Sequence, residues 1–156
     1  MKRAADAGFA TAQGATGLAL ETGHGVEEDE ALAVVYYRLA ANQGNAISMY
    51  NLGVCYRDGD GVPRDPSVAV LWLKRAHDAG NPDAAKDLAV LAAHLSPSEV
   101  PAMGAGVLRA LLEGMGVPAP PGAEKPALVA LVLARCEAER ATFLALRDSV
   151  RGAPRR

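Results

Sequence analysis

Disulfides cannot organise this chain. Its 156 residues hold two cysteines, Cys55 and Cys136, separated by most of the sequence, and such a pair makes no disulfide framework. A reducing compartment, cytoplasmic or otherwise intracellular, is the expectation. Aromatics are also scarce, with two Phe, four Tyr and one Trp. Alanine is abundant instead, which favours helices packed closely through small side chains. Long apolar runs are missing: after Lys2 and Arg3 the stretch is broken by Asp6, Gly8, Gln13 and Gly14, so neither a signal peptide nor a membrane span is expected. No dense basic stripe of the kind phosphate backbones require occurs either. Up to His94 there are 8 basic and 12 acidic residues, and from Ser96 onward 8 and 6.

Chemistry-bearing constellations are equally thin. His24, His77 and His94 have no neighbouring His or Cys at metal-ligand spacing. Asp58, Asp60 and Gly61 open like a calcium loop, but Val62 takes a ligand position and Ala69 stands where a bidentate Glu is needed. Gly104 and Gly106 lack the third glycine and the preceding strand of a dinucleotide loop. Cys55 has no His or Lys beside it in sequence and reads as a core thiol. With no Ser/His/Asp set identifiable, no enzymatic activity, cofactor or metal is expected.

What the chain does have is a period. Gly8, Gly44 and Gly80 lie 36 residues apart, and Gly17 with Gly53, Gly23 with Gly59 and Gly25 with Gly61 keep the same interval. Val26 matches Val62, Asp29 matches Asp65, Ala33 matches Ala69, and Tyr36 shares its position with Trp72. Residues 1 to 8 reproduce 73 to 80 at six of eight positions. A fixed period of this length is the signature of a repeat array, whose usual business is binding.

Each period predicts a helix hairpin. In the best-preserved copy, helix A runs from Ala46 to Arg57, with Ala46, Met49, Leu52, Gly53 and Tyr56 at helical spacing. A turn from Asp58 to Arg64 follows, with glycine supplying positive φ. Asp65 is placed as N-cap and Pro66 as the first residue of helix B, whose packing face is Ala69, Trp72, Leu73 and Ala76. In the first copy Gly14 and Thr16 replace larger residues, and a helical glycine costs about 0.5–1 kcal/mol, so that unit is expected to fray.

The string Gly44-Asn45-Ala46, Tyr50-Asn51-Leu52-Gly53-Val54-Cys55-Tyr56, Gly59-Asp60-Gly61-Val62-Pro63, Asp65, Ala69 and Trp72 resembles the Sel-1-like repeat, a relative of the tetratricopeptide repeat. The resemblance covers residues 1–95 as a trailing helix B, two full units and a further helix A from Pro82. It implies an all-α fold, a short right-handed α-solenoid with helices A on the concave side, and a scaffold, adaptor or chaperone-like role without an active site. Some secreted relatives staple each unit with a cysteine pair, which Cys55 has no partner to form. The partial first unit implies a fragment of a longer solenoid or an open end covered by a partner or by self-association. On helix A, Tyr50, Asn51, Val54 and Arg57 lie off the packing face and are the candidate contacts for a protein or peptide partner.

Beyond the array, Ser96-Pro97-Ser98-Glu99 has capping-box spacing before Pro101 interrupts it. A helix carrying Val107, Leu108, Leu111 and Leu112 stops at Gly116. A Pro/Gly loop spans Pro118 to Gly122, and a second helix opens at Glu124-Lys125-Pro126 and reaches about Val150, with Leu128, Leu131, Val132 and Cys136 on one face. Leu108-Arg109-Ala110-Leu111-Leu112, Gly116-Val117, Gly122, Glu124-Lys125 and Leu128-Val129 resemble the SAP-like fold, especially its variant in the mesencephalic astrocyte-derived neurotrophic factor family. The cysteine pair of that variant's loop is replaced by Ala119, Pro120, Pro121 and Ala123, so its redox chemistry does not carry over. The resemblance offers Arg109, Lys125 and Arg135 for nucleic acid, with Glu113, Glu124, Glu137 and Glu139 among them opposing it. The other reading of this helical pair, 96–151, is a protein-contacting or capping unit. Residues 152–156 are expected to form a disordered tail.

Overall fold

Asparagine and aspartate caps decide where the helices begin. Asp29 Oδ1 accepts from the Leu32 amide at 2.9 Å, Asn45 Oδ1 from Ser48 at 2.8 Å, and Asp65 Oδ1 from Ser67 and Val68 at 3.0 and 3.1 Å. Asn81 does the same for Asp83 and Ala84, at 3.0 and 3.2 Å. The computed structural model describes residues 2–151, with side chains from 8 to 147. The helices are α1 (Lys2–Thr22), α2 (Glu30–Ala41), α3 (Ala46–Asp58), α4 (Pro66–Asp78), α5 (Ala84–His94), α6 (Glu99–Ala102), α7 (Ala105–Gly114) and α8 (Lys125–Arg151). No strand occurs among the described residues. The expected tail at 152–156 lies outside them.

Capping chemistry also explains one departure from the period. The sequence reading ends a helix B near Gly8, yet α1 runs unbroken from Lys2 to Thr22. At the equivalent junctions Gly44 and Gly80 adopt φ of +91° and +89° and are followed by the capping Asn45 and Asn81. After Gly8 comes Phe9, which has no oxygen to offer the free amides, so the helix continues through the glycine.

The chain divides into two compact units, residues 1–85 and 86–156. In the first, α1 pairs with α2 and α3 with α4, and α2 lies against α3. Two glycines one period apart allow those hairpins to close: a Cβ at Gly17 would stand 2.8 Å from the Tyr37 ring, and one at Gly53 2.8 Å from Leu73 Cγ. A single core of Leu20, Ala33, Val34, Tyr37, Ala41, Leu52 and Cys55 joins the hairpins, with Tyr36, Met49, Tyr56, Val62 and Trp72 packed around it. The fully buried aromatic is therefore Tyr37, while its neighbour Tyr36 and the periodic partner Trp72 are half-buried.

In the second unit the capping box forms as its spacing predicts: the Ser96 amide donates to Glu99 Oε2 at 2.6 Å and the Glu99 amide to Ser96 Oγ at 3.3 Å. α7 ends at Gly114 and the chain turns at Gly116, φ +70°; α6 and α7 both pack on α8, and Val100, Leu108, Leu111, Leu112, Leu128, Val132 and Cys136 are buried. Arg140 on α8 donates to the carbonyls of Ala93, at 2.9 Å, and Leu95, which completes the C-terminal end of α5. The repeat register assigns α5 to the array, whereas nearly all of it falls in this second unit.

Candidate protein-interaction surface

α1 and α3 are the leading helices of the two hairpins, and a groove of about 190 Å³ runs between them. Its walls include Gly14, Ala15 and Leu18 from α1 and Ile47, Ser48 and Asn51 from α3. The helices come this close because residue 14 has no side chain: a Cβ there would lie 2.5 Å from Ser48 Oγ, well inside van der Waals contact. Gly14, a cost to α1 by helix propensity, is a requirement of the groove.

Ser48 is 1 % exposed and its hydroxyl has no hydrogen-bond partner. A buried, unmatched hydroxyl costs about 1–3 kcal/mol. Around it the rim is apolar and open, with Leu18 49 % and Ile47 66 % exposed. The site thus combines one unspent hydrogen-bonding group with two solvated aliphatic side chains.

Of the residues singled out from sequence, Asn51 lines this groove, while Tyr50, Val54 and Arg57 are not among its walls. Tyr50, Asn51, Val54 and Arg57 are all half-buried, which corrects the expectation of an exposed tyrosine next to arginine. The physical reason is that α3 packs against α2 and α4 at once, leaving only a narrow stripe for solvent, and Ile47 holds it. Arg57 grips Asp58 in a double hydrogen bond, Nε to Oδ1 at 2.8 Å and Nη2 to Oδ2 at 2.6 Å. Asn51 lines the groove but spends its amide on Tyr37, whose hydroxyl donates to Glu21 Oε2 at 2.7 Å. This chain of Glu21, Tyr37 and Asn51 links α1, α2 and α3. Burial first, and then the bond to Glu21, raises the Tyr37 hydroxyl far above the usual phenol range.

The family model of the Sel1 repeat matches residues 10–45 and 46–81. The chain carries two Sel1 repeats. The second match holds the α3–α4 hairpin and the first holds α2 with the part of α1 from residue 10, and solved structures agree. The chain is similar to a Sel1 repeat protein from Oxalobacter formigenes, with 26% identity and a TM-score of 0.52 over 67% of this chain and 44% of that one. It is also similar to a protective antigen present in uropathogenic Escherichia coli strains that displays an SLR fold, with 25% identity and a TM-score of 0.51 over 88% of this chain and 32% of that one. The chain thus spans less than half the length of either. No curated protein matches it. Sel1 repeats are generally protein–protein interaction modules, typically without catalytic activity.

Both cysteines are buried. Burial, followed by the Glu21 and Asp60 carboxylates, pushes the Cys55 thiol up to about 12, and burial raises Cys136 as well; protonated, buried thiols are poor nucleophiles. Among the described residues no three His, Cys, Asp or Glu gather where a metal could sit. No helix among them is long and apolar enough to cross a membrane. Beyond the Sel1 repeats, Arg109 donates to the Ala123 carbonyl at 2.5 Å and fastens the Pro/Gly loop, and Arg135 pairs with Glu139 at 2.5 Å. Two of the three cations considered for nucleic acid are therefore engaged within their own unit, and Lys125 stands exposed at the start of α8.

Sequence reasoning missed Leu18, Ile47 and Ser48. Ile47 was open to detection, since it is a large aliphatic on α3 outside the Ala46, Met49, Leu52, Tyr56 spacing.

Proposed function

We propose that this chain is a non-enzymatic adaptor or scaffold, and that it binds an extended peptide segment of a protein partner along the groove between α1 and α3. The observation that carries the reading is the apolar groove between α1 and α3, rimmed by the exposed Leu18 and Ile47. An extended peptide presents backbone N–H and C=O groups at regular intervals with side chains between them. A small apolar side chain of the peptide can cover Ala15 and lie between Leu18 and Ile47, above the buried Ser48. A charged surface such as a phosphate backbone gains nothing here, because the groove has no cation on its walls.

The test is an array of extended peptides probed with the intact protein, followed by titration of the best binders against variants. Ile47→Glu and Leu18→Glu should each weaken binding by about tenfold or more, the equivalent of about 1.4 kcal/mol. Tyr50→Ala/Arg57→Glu, beside the groove, should have the smaller effect. Equal binding by Ile47→Glu and the unchanged protein would overturn the assignment of the groove, and a larger loss in the Tyr50/Arg57 variant would move the site along α3.

A further inference from the structure

An N-cap needs one side-chain oxygen, and Asp29 and Asp65 supply it with a carboxylate at the starts of α2 and α4. A carboxylate there also gains from the partial positive charge of the helix end. α3, the helix that walls the groove, is capped instead by the neutral amide of Asn45, whose Oδ1 accepts from Ser48 at 2.8 Å. The amide brings something an aspartate lacks, the donor Nδ2, and Asn45 lines the groove. Asn51 lines it too, with the opposite atom left over: an N–H of its amide goes to the Tyr37 hydroxyl, and Oδ1 remains. Both residues are half-buried. Among the described residues, the side-chain polar atoms buried without a partner are Ser48 Oγ and Arg135 Nε, so Asn45 Nδ2 and Asn51 Oδ1 are open to the solvent of the groove.

We propose that Asn45 and Asn51 hold the main chain of the peptide in the groove, Asn45 Nδ2 donating to one of its carbonyls and Asn51 Oδ1 accepting from one of its N–H groups. The pairing rests on the peptide reading of the groove and adds to it the two residues that recognise backbone. They are six residues apart, about 9 Å along a helix that rises about 1.5 Å per residue. Three residues of extended chain, at about 3.3 Å each, cover that length and present both N–H and C=O groups along it. One neutral donor and one neutral acceptor match an amide chain. A phosphate has no N–H for Asn51, and an acyl chain satisfies neither amide, leaving each with the cost of an unmade hydrogen bond. With the backbone held by the two amides, the choice of side chain falls to the apolar walls, Ala15, Leu18 and Ile47.

Asn45→Asp separates the cap from the contact, because aspartate caps a helix as well as asparagine and has no N–H to give. Titrated on the full chain with the best binder from the peptide array, Asn45→Asp should lose about tenfold or more in affinity, while its thermal midpoint stays at or above that of the unchanged protein. A second measurement leaves the protein untouched. Backbone esters placed one at a time along the peptide, each replacing an N–H by oxygen, should include one position at which affinity falls by about threefold to tenfold, the N–H that Asn51 Oδ1 accepts. Unchanged affinity in Asn45→Asp, or a series in which no ester weakens binding, would overturn the proposal even if Ile47→Glu abolishes binding as the groove requires. Equal binding by Ile47→Glu would instead overturn the groove reading itself, so the two failures are told apart.

Discussion

The close approach of Gly14 and Ser48 makes a double-mutant cycle with a sign reversal. Alanine at position 14 removes a glycine from the middle of α1, which by itself should stabilise by about 1 kcal/mol. The new Cβ would lie 2.5 Å from Ser48 Oγ, however, while Ser48 Cβ stands at 3.9 Å. Either the hydroxyl turns or α1 backs away from α3, and overpacking of this kind costs about 1–3 kcal/mol. Gly14→Ala alone should therefore destabilise, by about 1 kcal/mol. Ser48→Ala removes a buried hydroxyl that has no partner, so it should stabilise by about 1 kcal/mol after allowing for lost contacts. In the double variant the nearest approach becomes the ordinary 3.9 Å contact. The helix propensity of alanine is then fully realised, and the pair should stabilise by about 2 kcal/mol.

The coupling is thus about 2 kcal/mol, within the span seen for residues in contact. Urea melts followed by circular dichroism measure it, with the slope of each transition checked for constancy. Additive behaviour of the two substitutions would refute the packing argument. Destabilisation by Ser48→Ala would refute the claim that its hydroxyl is unspent.

Other consequences are open to direct measurement. Tyr37→Phe strips Glu21 of its donor and Asn51 of its acceptor and should cost about 1–3 kcal/mol in the same melts. Because the folded Cys55 thiol titrates at about 12 rather than the ordinary 9.0, the unfolded chain loses its proton first. Stability should be level below pH 9 and fall progressively towards pH 12, with the raised Tyr37 adding to the loss; a flat profile across that window would contradict the burial of both groups. Iodoacetamide at neutral pH should modify neither Cys55 nor Cys136 until denaturant is added, read by mass spectrometry. Arg140→Ala removes the donors to the Ala93 and Leu95 carbonyls and should destabilise the second unit by about 1–3 kcal/mol in thermal melts.

Much of the architecture was legible because it depends on local chemistry. Asn45, Asp65, Pro66 and Gly59 each fix a helix end through groups within a few residues, so α3 comes within a residue of its expected limits and α4 begins at the expected Pro66. The Ser96–Glu99 box and the stop at Gly116 are local in the same way. Continuity through Gly8 was misread because the period made Gly8 look like Gly44. The deciding atom is the side-chain oxygen one residue later, present in Asn45 and absent in Phe9.

The groove was not legible for a different reason. A helical wheel sorts residues by angle around one helix, whereas exposure on α3 depends on two neighbours approaching from different sides. On the wheel Asn51 belongs with Tyr50 and Arg57, and nothing local says that Tyr37, on the preceding helix α2, needs its amide. The same holds for Gly14, which in isolation is a flaw in a helix and in context is what lets Ser48 lie against α1. Where a repeat departs from its own consensus, the departure marks a place at which a neighbouring helix or a ligand sets the terms. Gly14, Thr16 and Ala19 stand where Tyr50, Leu52 and Cys55 lie one period later, and each is smaller than its counterpart; Gly14 lies along the groove argued to receive a peptide. The first repeat is accordingly the one whose variation carries specificity, and substitutions there should change what the protein holds before they change whether it folds.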